Sequence, residues 1–326
     1  MTDKVSWGIL STANIAKKSM VPAIHEAENA ELVGVASESG KAKETAEQWG
    51  AHKYYESYDA LLNDDTIDAV YIPLPNALHK EWVIKAAQHK KHVLVEKPAA
   101  INSADIVEMN EAAKENHIFW MEAFMYQFHP QHQCVKSWLS DGRIGDITRI
   151  RASFSFPLEL ASSNIRLNKD LGGGSLYDVG CYCVHVSRFL LEEEPIKVFA
   201  TARKLANSNV DVATSAILTF EKVDAVIDCS FNEAKVNRYE VIGTKGSIEV
   251  PYAFRPDHNP DGGKGVVILK NVNGESVDYQ SFEANQFTEQ ITHFSQCILS
   301  HKSPHYSPEN TYNNMKVLEA LYKSLG

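Results

Sequence analysis

His92-Val93-Leu94-Val95-Glu96-Lys97-Pro98 decides how the rest of the chain is read. Three apolar residues follow a basic stretch (His89, Lys90, Lys91) and stop at a charged pair and a proline. A run this short, closed by a residue that cannot extend a ladder, predicts a buried parallel strand. In an open parallel sheet, ligands bind outside the carboxyl ends of the strands, so Lys97 is expected to face a cleft.

Working outward from that strand, apolar runs alternate with helical patterns. Strands are expected at 5–10, 32–36, 68–72 and 118–121, with an extended piece at 53–55. Between them fall helices from Ile15, at 42–49, 57–62 and 81–88, and from an Asn102 cap to about Glu115. This alternation through residue 121 predicts an α/β parallel sheet with crossover helices. Its first strand runs into Ser11-Thr12-Ala13-Asn14-Ile15, where the dinucleotide fingerprint survives only as the small residues Ser11, Ala13 and Ala16. Small side chains let a pyrophosphate approach backbone N–H groups at a helix start. The next strand ends in Ser37-Glu38, about 20 residues further on, where the cofactor ribose is read. Glu38 would accept from the 2′-hydroxyl of NAD, whereas Ser37 with Lys41 or Lys43 would take the 2′-phosphate of NADP, so both cofactors stay open. In Pro73-Leu74-Pro75-Asn76-Ala77-Leu78-His79 the prolines turn the chain outward, which predicts Asn76 and His79 at the cleft edge, with Leu74 beside them as a cofactor contact.

From Thr148 onward strands dominate, at 148–156, 197–202, 211–220, 225–231, 238–242 and 247–250, with turns marked by Asp224 and Lys245-Gly246. Without crossover helices between the later strands, an antiparallel sheet is the economical arrangement. One interruption opens with Gly172-Gly173-Gly174 and becomes a helix through Leu191, on which Asp178, Tyr182 and His185 recur four and three apart. That spacing sets three polar groups on one side, as a carbonyl or hydroxyl substrate needs for hydrogen bonding and proton transfer. Cys181, Cys183 and His185 do not make a metal site on this pattern, because side chains two apart on a helix diverge, and no metal is expected. Patterns at 285–299 and 315–325 predict packing helices, and Tyr252 to Gly263 a loop.

Taken together, Trp7-Gly8-Ile9-Leu10-Ser11-Thr12-Ala13-Asn14-Ile15-Ala16, Pro75-Asn76-x-x-His79, Glu96-Lys97-Pro98 and Glu122-Ala123-Phe124-Met125-Tyr126 resemble the glucose-fructose oxidoreductase / inositol dehydrogenase / MocA family, most closely its dimeric dihydrodiol dehydrogenase branch. The resemblance spans the chain. It implies an α/β N-terminal Rossmann domain, residues 1–124, followed by an α+β domain, residues 125–326, with a large, open, mostly antiparallel sheet; the last helix could pack back on the first domain. It implies that Lys97 faces the nicotinamide, often across a cis Lys97–Pro98 peptide, with Glu96 beside it. Asp178, Gly180 and His185 match the family's catalytic pattern, with Tyr182 where sugar-oxidising relatives carry His. Arg166 would lie near the cofactor, and Met125 and Phe128 with His185 near the substrate. The branch often carries Arg after Ser37, where this chain has Glu38.

The bulk properties agree with such an enzyme. A chain of 326 residues has room for two domains, and a net charge of −10 without a basic stripe speaks against nucleic acid. The start, Met1-Thr2-Asp3-Lys4-Val5, lacks a signal-like pattern, and no apolar run approaches membrane-spanning length. Five scattered cysteines without a C-x-x-C fit reduced thiols, and a cytoplasmic setting is expected. The expected reaction is reversible hydride transfer between a secondary alcohol of a sugar, polyol or trans-dihydrodiol and NAD or NADP. Lys97 and Tyr182 would handle the hydroxyl proton, with Asp178 and His185 orienting substrate. Ordinary lysine titrates near ~10.4, and burial beside a cationic nicotinamide would both disfavour its ammonium. Alternatives are an NAD-dependent glycoside hydrolase of the same fold and a non-catalytic sensor. A homodimer or higher homo-oligomer is expected from the open sheet.

Overall fold

The computed structural model describes residues 4–206 and 208–325. The Met1-Thr2-Asp3 lead into the first strand lies outside the described residues. The chain divides into two compact units: one runs to Met125 and takes in Asn285–Tyr312, and the other comprises Tyr126–Ala284 with the residues from Asn313.

The first unit alternates β1 (Val5–Leu10), a π-helical turn at Ala16–Met20 leading into α1 (Val21–Glu26), β2 (Ala30–Ala36), α2 (Ala42–Trp49), β3 (Lys53–Tyr55) and α3 (Tyr58–Leu62). It continues with β4 (Ala69–Ile72), α4 (His79–Gln88), β5 (His92–Val95), α5 (Ser103–Glu115) and β6 (Trp120–Glu122). All six strands are parallel in the order β3-β2-β1-β4-β5-β6. β4 is buried throughout, and only His92 of β5 reaches partial exposure, as strands covered on both faces require. Ser57 and Asn102 cap α3 and α5 by accepting the N–H of Ala60 and Asp105.

The second unit holds α6 (Pro130–Ser140), β7 (Ile147–Ser155), a π-helical turn at Leu176–Gly180, α7 (Cys181–Leu191), and the strands β8 (Lys197–Lys204), β9 (Asp211–Thr219), β10 (Asp224–Ser230) and β11 (Val236–Gly243). β12 (Gly246–Val250), β13 (Gly265–Asn271) and β14 (Ser276–Phe282) complete an eight-stranded sheet ordered β14-β13-β12-β11-β7-β10-β9-β8. Every pairing is antiparallel except β7 with β10. β13 and β14 extend the sheet beyond the six strands expected, and β14 is an exposed edge on which Val277 and Tyr279 face outward. Asp224 and Gly246 begin strands, and the turns they were expected to mark fall just before them.

A division at 124/125 places everything after it in the second domain, whereas Asn285–Tyr312 belongs with the first unit. The reason is the apolar face of α8 (Gln286–Ser300). Phe294 lies 5.9 Å from the Trp7 ring, and Trp7 Nε1 donates to Ser295 Oγ at 3.1 Å. The last helix, α9 (Pro308–Ser324), begins in this segment and continues in the second unit.

Candidate active site

Because β2, β1, β4 and β5 are parallel neighbours, the turns at their carboxyl ends share one edge of the sheet. Ser11 leaves β1 with φ at 132°, a conformation that favours glycine, and its N–H donates to the Ala36 carbonyl at 3.0 Å. Its hydroxyl accepts the Ala13 N–H at 3.1 Å, so a serine carries the turn that the fingerprint assigns to glycine. Thr12, Ala13 and Ile15 are half-buried, Asn14 is exposed and Ala16 is buried where the helix meets the sheet. The small residues and the helix start fit a pyrophosphate. At the end of β2, Ser37 is buried with its hydroxyl 2.9 Å from that of Ser39, while Glu38 is exposed. Glu38 is therefore the acceptor presented there.

After β4, Leu74 is buried and Asn76 opens a short 3₁₀ turn. His79 is not at an edge. It is wholly buried between the loop after β4 and the turn after β5, with Nε2 2.8 Å from the Leu74 carbonyl and Nδ1 2.9 Å from the Pro98 carbonyl. Neutral imidazole donates through only one nitrogen, and burial pushes the His79 pKa down to about 4. The turn after β5 contains a cis Lys97–Pro98 bond. Glu96 Oε1 accepts the Tyr71 hydroxyl at 2.6 Å, and the Lys97 N–H donates to Glu96 Oε2 at 3.3 Å. Lys97 is half-buried at this point. The turn is braced from below by Glu122, a buried carboxylate absent from the expected set, which accepts from Ala99 N–H at 2.9 Å and the Tyr306 hydroxyl at 3.2 Å.

In the second unit, Asp178 sits in the π-helical turn and Tyr182 and His185 in α7. Arg166, expected beside the cofactor, places Nε 2.6 Å from Asp178 Oδ2, an opposite-charge pair in a partly buried setting. Tyr182 is 4 % exposed and packs against Phe154, Phe254 and Tyr126, with ring centroids 5.3, 5.4 and 5.8 Å away. His185 was expected on the substrate-facing stripe but is buried, its Nδ1 2.5 Å from the Tyr126 hydroxyl. Burial, reinforced by Arg188, holds His185 well below the usual imidazole range. Met125 is buried at the end of the first unit, and Phe128 is half-buried in the second. Cys181 and Cys183 contact the carbonyls of Asp178 and Asp228, and among the described residues no group of three His, Cys, Asp or Glu could hold a metal ion.

His79 and two histidines of the second unit, His129 and His132, are buried, and the sign of the pH effect follows from that burial. Folding depresses the pKa of His79 and His129 to about 4 and that of His132 to about 3, so below the unfolded value near ~6.5 the unfolded chain binds more protons. Their contribution is complete above that value and fades as pH falls toward 4. For His79 alone the loss approaches roughly 3 kcal/mol by pH ~4. The urea midpoint is therefore expected to drop steadily from pH 7 to 4.5; a midpoint unchanged over that range would contradict buried neutral histidines.

Among the described residues, no helix is long and apolar enough to cross a membrane. Two family models match the chain: "Oxidoreductase family, NAD-binding Rossmann fold" over residues 5–124, and "GFO/IDH/MocA C-terminal domain" over residues 132–249. D-xylose 1-dehydrogenase (NADP(+)) 2 of Haloferax volcanii is 32% identical over 98% of this chain and 96% of its own length. Trans-1,2-dihydrobenzene-1,2-diol dehydrogenase of Xenopus laevis is 30% identical over 98% of both. A 3-ketoreductase from Actinomadura kijaniata, solved with NADP and TDP-benzene, superposes with a TM-score of 0.90 at 31% identity, covering 99% of this chain and 98% of that one.

Proposed function

Because this chain belongs to the GFO/IDH/MocA family and is an NAD(P)-dependent oxidoreductase, we propose that it oxidises a secondary alcohol of a sugar, polyol or trans-dihydrodiol, or reduces the corresponding ketone. The observation that carries this reading is the Glu96-Lys97-Pro98 turn, locked by Tyr71 on one side and His79 on the other at the carboxyl end of β5. A lysine in a turn anchored on both sides, at the edge where open parallel sheets bind ligands, supports a chemical role. When bound, the nicotinamide supplies or accepts the hydride. Lys97 and Tyr182 act as the pair that takes up or returns the hydroxyl proton. Asp178, held by Arg166, orients the substrate hydroxyls, and His185 supports Tyr126 behind Tyr182. Hydrolysis and sensing are not adopted, since the relatives above are dehydrogenases and a reductase. The test is a panel of aldoses, inositols and trans-dihydrodiols with NAD and NADP separately, read by reduced-nicotinamide absorbance. Turnover of a diol or sugar supports the reading, and no reduced cofactor with any of them contradicts it.

NAD is the proposed preference, unlike the NADP named for two of these relatives, because Glu38 stands exposed where the ribose is read while the Ser37 hydroxyl is engaged with Ser39. The expected kcat/KM for NAD exceeds that for NADP by roughly tenfold or more, about 1.4 kcal/mol, and Glu38→Arg reverses the order. Equal use of both cofactors by the unaltered enzyme would refute this.

A homodimer through the open sheet is supported by an apolar row in register, Phe199, Ile217 and Val226, exposed by 56, 43 and 37 %. Ile217→Arg is expected to turn a sedimenting dimer into a monomer; a monomeric starting protein would rule the dimer out.

A further inference from the structure

We infer that Asp211, at the head of β9, is a positioning residue that sets Asp178 through the start of its helix. Asp211 is buried, and its carboxylate takes four donors. Oδ2 accepts from the Leu176 N–H and the Ser175 hydroxyl, both at 2.7 Å, and from the Thr214 hydroxyl at 3.2 Å; Oδ1 accepts from the Tyr322 hydroxyl at 2.8 Å. Ser175 and Leu176 open the turn that carries Asp178. A helix start leaves its first N–H groups without partners inside the helix and concentrates positive potential there. Asp211 supplies the missing acceptor and the matching charge from a strand 35 residues further along the chain.

The glycines before the helix are shaped to this carboxylate. Gly174 has φ at +132°, and a Cβ there would lie 2.3 Å from Asp211 Oδ1. Its N–H donates to the Arg166 carbonyl at 3.0 Å, and the Gly173 N–H to the Asn168 carbonyl at 2.9 Å. A continuous chain of bonds thus runs from Asp211 through residues 174–176 to the backbone of Arg166, whose side chain holds Asp178. Tyr182 and His185 lie further along the same helix and are held in addition by Phe154, Phe254 and Tyr126, whereas Asp178 sits within the turn that Asp211 anchors. The effect of losing Asp211 therefore falls on Asp178.

This inference rests on the proposed role of Asp178 in orienting substrate, and a double-mutant cycle separates the two. Asp178→Asn is expected to lower kcat by roughly 30-fold and Asp211→Asn by roughly tenfold, while the double variant falls no more than about twofold below Asp178→Asn. The Kd for NAD, measured by fluorescence titration, is expected to move by the same factor in Asp178→Asn and in the double variant, because Arg166, the proposed cofactor contact of this unit, is paired with Asp178. A purely structural role would instead multiply the two losses. Should Asp211→Asn not fold, the cycle is run with Tyr322→Phe, which removes one of the four donors and is expected to cost about threefold in kcat, again masked by Asp178→Asn. Equal factors in the two backgrounds overturn the assignment of Asp211 alone. An unchanged kcat in Asp178→Asn overturns the role of Asp178 and the inference built on it.

Discussion

Lys97→Met is expected to lower kcat by roughly 10³-fold while NAD still binds, the size of effect typical of a lost proton-transfer group. Methionine keeps the length and apolar stem of the side chain but carries no proton donor or acceptor of comparable strength. In the same turn Glu96 is held by Tyr71 and the Ala99 N–H by Glu122, two bonds that do not run through the Lys97 side chain. Loss of turnover would then report chemistry rather than collapse of the turn. Measuring kcat beside NAD affinity separates the cases. Retained turnover would remove Lys97 from the mechanism, and loss of NAD binding would make it a cofactor ligand instead.

Tyr182→Phe is the second large effect, with kcat lower by roughly 10²-fold and the thermal midpoint moved by no more than about 2 °C. The ring contributes packing to the cluster of Tyr126, Phe154 and Phe254, and phenylalanine keeps that packing. Only the hydroxyl is lost. A variant with full activity would assign Tyr182 to the core alone, and a steep fall in melting temperature would show that its hydroxyl holds the fold.

The parallel half of the molecule was legible because local signals agreed. The apolar run of β5 ends at Pro98, Ser57 and Asn102 cap their helices, and alternation of strand and helix forces a parallel sheet. The position of Lys97 followed from topology, and so did the edge holding Ser11 and Glu38. What stayed hidden depends on partners far along the chain. Asp211 reads as an ordinary acidic residue, and Glu122 as one member of a short motif without a role, until the donors from Tyr322 and Tyr306 arrive, 111 and 184 residues away. His79 and His185 look like polar residues at a cleft, yet both are buried against a carbonyl or a phenol. Periodicity gives spacing along a helix but not which side faces a core. Nor does it foresee π-helical turns, which open both the helix after Ser11 and the one bearing Asp178. The return of α8 to the first unit was equally invisible, because an amphipathic helix announces an apolar face without naming what it covers.

Hydride transfer from a carbinol carbon leaves an isotopic trace. The most active alcohol of the substrate panel, deuterated at its carbinol carbon, is incubated with enzyme and NAD, and the reduced cofactor is analysed by mass spectrometry. One deuterium per reduced nicotinamide is expected, with a slowed rate under single-turnover conditions. Unlabelled reduced cofactor, or substrate that exchanges its deuterium with solvent while no reduced cofactor accumulates, would contradict it.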